Sequence, residues 1–127
     1  MVITMIVIGV AAGGMLVLQM KYGKKKSRVE AKIVDCIKYW DLFDYYKSPA
    51  IQDKLAANSK LRLFAQKEEK EIGGKQMYVI TMAFFDSEQE DIVPLDNPLC
   101  LASEQLDDML KEKFGEKTIL YMSDSIL

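Results

Sequence analysis

Histidine is absent from this chain of 127 residues. That removes the Ser-His-Asp triad, His-ligated zinc or haem, and an imidazole base working near neutral pH. Cysteine is scarce. Cys36 and Cys100 form no CxxC pair and no disulfide framework. Cys36 falls on an apolar stripe and Cys100 lies between Leu99 and Leu101, so both read as core residues, not nucleophiles. Gly73-Gly74 lacks the GK[ST] ending of a phosphate loop. Carboxylates are plentiful, but spacing alone pairs none of them for acid–base work. The expectation is therefore no catalytic, cofactor-binding or metal residue, and no enzyme.

Acid is missing from the start of the chain. Residues 1–28 hold Lys21, Lys24, Lys25, Lys26 and Arg28 and no Asp or Glu, a charge of +5. Taking these five from the 17 Lys and Arg leaves 12 cations against 19 acids, or −7, in the rest. A mean of −2 thus hides a basic segment beside an acidic body. The only basic cluster lies near the apolar segment, which disfavours nucleic acid as a partner.

Residues 1–20 are apolar apart from Thr4 and Gln19. Twenty residues of helix span about 30 Å, the thickness of a bilayer's hydrocarbon core. This predicts a transmembrane anchor over residues 1–22, followed by a basic juxtamembrane collar over residues 23–28. A cleavable leader would carry its basic residues before the apolar run, not after it. The collar is expected to meet anionic lipid headgroups through Lys21, Lys24, Lys25, Lys26 and Arg28, and it favours a cytoplasmic or matrix-side body. Gly9 and Gly13 have GxxxG spacing, which predicts helix–helix packing. A pilin-type subunit fits poorly, because no acid precedes Glu30.

Residues 29–127 read as a soluble α+β domain. Val29, Ile33, Cys36, Ile37, Trp40 and Phe43 recur at helical spacing. A strand through Val29, Ala31 and Ile33 would place Asp35 on the same face. Ser48-Pro49 ends one helix and starts the next, with Ile51 and Leu55 as its apolar face and Asn58 as its close. Leu61–Gln66 and Met77–Phe85 read as strands of a hairpin turning at Gly73-Gly74, with Leu63 opposite Phe84 and Ala65 opposite Met82. The second strand is apolar on both faces, as a central strand should be. Pro94 and Pro98 stiffen the following connection. Ser103 is expected to cap a helix with Leu106, Met109, Leu110 and Phe114 inward, which Gly115 stops. A last strand follows over residues 117–122. The fold class expected is α+β: an N-terminal single transmembrane helix, then helices packed on a short antiparallel sheet. The acidic run Asp86, Glu88, Glu90 and Asp91 is a candidate partner-binding loop.

The stretch Tyr39-Trp40-Asp41-Leu42-Phe43-Asp44-Tyr45-Tyr46-Lys47-Ser48-Pro49-Ala50-Ile51-Gln52-Asp53-Lys54-Leu55 resembles the helix pair that follows the membrane span in the cytochrome oxidase assembly factor and Tim-type translocase-subunit family. Ala56 stands where that family has glycine. The resemblance implies a single-pass protein of the mitochondrial inner membrane, bound to respiratory complexes, with no catalytic residues to transfer. Together these readings predict a non-catalytic accessory or assembly subunit of a multi-subunit membrane complex, foremost a respiratory one. Its expected partners are other membrane-protein subunits and anionic lipids. The alternative is a bacterial or viral membrane-anchored adaptor that recruits a soluble partner.

Overall fold

The computed structural model describes residues 3–11, 14–93, 95 and 98–126. The apolar opening segment is not a helix. It is a hairpin of β1 (Thr4–Ala11) and β2 (Met15–Tyr22), extended by β3 (Lys25–Ile33) into an antiparallel meander. Among the described residues no helix is long and apolar enough to cross a membrane. The anchor over residues 1–22 and the single-pass, integral inner-membrane reading built on it are therefore corrected. Two features of the sequence favour strands. Ile3, Thr4, Ile6, Val7, Ile8 and Val10 are β-branched and suit a pleated surface. Gly14 has φ +77°, which breaks the run into two strands of 8 residues each. Chain length and hydropathy do not separate a bilayer helix from two buried strands.

The chain continues through α1 (Tyr39–Tyr46), α2 (Pro49–Ala57), β4 (Leu61–Ile72), β5 (Lys75–Asp86), β6 (Asp91–Val93), β7 (Cys100–Ser103), α3 (Asp108–Phe114), β8 (Ile119–Tyr121) and α4 (Met122–Ser125). Strand makes up 51% and helix 24%, so the α+β expectation gives way to a mostly β fold. The strands form one sheet in the order β1-β2-β3-β7-β5-β4-β8, with β6 beside β5. The sheet curls into a half-barrel. Met5 on β1 reaches Thr81 on β5, whose hydroxyl donates to Met5 Sδ at 2.8 Å. Gln66, on β4, is 2% exposed and holds the backbone of Ile3 just before β1. Ile3 N–H donates to Gln66 Oε1 at 2.9 Å, and Gln66 Nε2 donates to the Ile3 carbonyl at 2.6 Å. One side chain thus replaces a strand partner and staples the two ends of the curl.

Two apolar layers result. Inside the curl, Ile3, Met5, Leu16, Leu18, Met20 and Val29 pack on Phe64, Val79, Ala83 and Ala102. On the opposite face of β4, β5 and β7, the helices bring Leu42, Ile51, Leu110 and Phe114 against Leu63, Ile80, Met82 and Phe84. β5 lies between these layers, and Val79 through Phe84 are all buried. The central-strand reading and the register both hold: Leu63 pairs Phe84 and Ala65 pairs Met82. Gly73 and Gly74 make the turn with φ +60° and +81°.

Other boundaries moved. The helical stripe from Val29 is instead strand β3 to Ile33, with Val29 and Ala31 buried, and helix begins only at Tyr39. The strand ends before Asp35, so that residue never had to share the buried face. The helix cap expected at Ser103 is Asp107, whose Oδ1 accepts from Leu110 N–H at 2.8 Å. Ser103 ends β7, and its hydroxyl donates to the Asp35 carbonyl. Ser48-Pro49 does start α2 and Gly115 does close α3.

Candidate interaction surface

The meander β1–β3 presents one face to the core and one outward. Inward rows run Met5–Met20–Ser27 and Val7–Leu18–Val29. Outward rows run Thr4–Lys21–Lys26, Ile6–Gln19–Arg28 and Gly9–Val17–Glu30, and Lys32 pairs with Met15. The collar cations therefore belong to a hairpin: Lys21 ends β2, Lys24 sits in the turn, and Lys25, Lys26 and Arg28 open β3. All five are exposed. Among the described residues none of them is in an ion pair. A depression of about 390 Å³ borders this face, lined by Met15, Arg28, Glu30, Leu95 and Pro98 among others.

Beside the cations lies an apolar strip. Ile6 is 51% and Ile8 52% exposed, and Val10 is also exposed at the rim. β1 is an edge strand, with β2 as its only strand partner among the described residues. It carries no charge and no proline. Such residues normally blunt an exposed edge against pairing with another chain. The register shifts between Val7 and Gly9, a bulge that adds Ile8 to the outward side. Gly9 lies on strand β1 and has open space within this chain where a Cβ would sit. The helix-packing role expected of Gly9 falls with the helix, and Gly13 lies outside the described residues.

The acidic run is the β5–β6 turn. Asp86 is buried, and its Oδ1 accepts from the N–H groups of Glu88 and Gln89 at 2.9 and 3.1 Å, which shapes that turn. Glu88, Glu90 and Asp91 are exposed. Among the described residues no cluster of acidic or Cys side chains has the grouping to hold a metal. Cys100 is buried beside Thr81, and burial pushes its thiol up to about 11, against the smaller opposing pull of the Thr81 hydroxyl. Cys36 is half-buried, away from the stripe expected for it.

A second apolar patch was not legible in the sequence. Trp40 and Met109, both read as inward-facing, are exposed and line a cleft of about 390 Å³ with Tyr39, Phe43 and Ile126. Tyr39 is buried at the cleft's floor, its hydroxyl 2.8 Å from Ser125 Oγ. Helical spacing places these residues on one side of a helix but does not say how far the core extends around it.

Comparisons with protein-family models, curated proteins and solved structures return no match for this chain.

Proposed function

We propose that this chain is a non-catalytic interaction module, an accessory or adaptor subunit that docks on a partner protein through the outer face of β1–β3. A single observation carries the reading. The edge strand β1 is uncharged and leaves Ile6 and Ile8 half-exposed, in a chain whose residues are 28% charged. A strand that faced only water would be expected to carry edge charges. The adjoining cations supply charge complementarity for an acidic partner surface.

The test is native electrophoresis of the protein isolated under mild conditions from its own cells. The wild type is expected in an assembly well above 14.5 kDa. A variant with both Ile6→Asp and Ile8→Asp is expected to run free. A wild type that migrates only as the free chain overturns the proposal.

A further inference from the structure

Resting on the docking reading above, we infer the chemistry of the partner: an amphipathic helix with a row of acidic side chains flanking its apolar row. The outer face of β1–β3 holds Lys21, Lys26, Arg28 and Lys32 against the lone acid Glu30. The apolar strip Ile6 and Ile8 lies on β1, and the cations lie on β2 and β3. Neighbouring strands are about 4.8 Å apart, so Ile6 and Arg28 stand about 10 Å apart in one plane.

That side-by-side layout selects among anionic surfaces. A bilayer stacks its headgroups above its hydrocarbon by depth. A face that served it would carry cations around an apolar tip. An amphipathic helix is about 10 Å wide and presents apolar and acidic rows next to each other. Laid along β1 and β2, it would set its apolar row on Ile6 and Ile8 and its acids over Lys21 and Arg28. The same sheet already packs helices on the outer face of its other half. A nucleic acid would find cations there but no exposed aromatic ring for stacking, since Tyr22 is buried.

The experiment uses the full chain, labelled with nitrogen-15, and synthetic peptides of about 18 residues, roughly the length of β1 when helical. One peptide carries leucine on one face and glutamate beside it, and the other has lysine in place of each glutamate. Vesicles of equal phosphatidylserine and phosphatidylcholine form the third arm. The glutamate peptide is expected to bind, to shift the amides of Ile6, Ile8, Lys21 and Arg28, and to weaken about tenfold between low and high salt. The triple variant Lys21→Glu, Lys26→Glu, Arg28→Glu is expected to lose that binding. Its β5 amides, unmoved, would show that the fold survives. Equal binding of both peptides overturns the acidic chemistry and leaves the docking reading standing. Binding of the vesicles but of neither peptide overturns both, and so do peptide shifts confined to the Trp40 cleft.

Discussion

One sheet serves two unlike regions. Strands β4, β5 and β7 are covered twice, by helices on one face and by the β1–β3 meander on the other. The meander's outer face is open apart from buried Val17, and it carries charge and bare isoleucine instead. The first region spends its apolar side chains on its own stability. The second holds some of them back, and it also holds most of its charge in one sign. Residues that fill the core and residues that face outward thus alternate along the same strands, with a period of two.

The largest effect that would sharpen this contrast is in the doubly covered half. Phe84→Ala empties a site that is 1% exposed and should cost about 3–5 kcal/mol in urea unfolding. A loss under 1 kcal/mol would mean that the helix-side layer is not a packed core.

Cys100 gives a pH-dependent test of the same interior. Its thiol titrates near 9.0 when unfolded and about 11 when folded. The folded state therefore keeps its proton longer, and stability is full below pH 9. It falls as pH rises toward 11 and levels off above, by about 2–3 kcal/mol. The difference in slope between the wild type and Cys100→Ala isolates this group. Parallel curves for the two proteins would contradict it.

Gln66→Leu cuts the staple between the regions. It leaves the Ile3 N–H and carbonyl without their partner and should cost about 1–3 kcal/mol. Hydrogen exchange is expected to quicken at β1 more than at β5. Uniform acceleration would show that the meander does not open on its own. The smallest effect belongs to the outer face: Ile8→Ser should change stability by no more than about 0.5 kcal/mol.

The turn and register of the β4–β5 hairpin were legible in the sequence, down to the pairing of Leu63 with Phe84, but β4 runs on past the expected Gln66 to Ile72 and β5 starts at Lys75. Two glycines fixed its turn, and alternation fixed its faces. The α2 start at Pro49 and the α3 stop at Gly115 were legible for the same local reason. The opening segment was not. Its apolar residues are equally consistent with one lipid-facing helix and with two strands whose inward side chains fill a curl closed by residues far along the chain, such as Phe64, Val79 and Ala102. The Gln66 staple was likewise invisible, because glutamine signals nothing until Ile3 is beside it.

Composition by itself determined that histidine chemistry is excluded, that the charge is split along the chain, and where glycine and proline punctuate it. Tertiary structure alone decided which apolar residues are spent inside and which are left on the surface. The reason is physical: burial is a property of pairs of surfaces, and a chain shows only one member of each pair at a time.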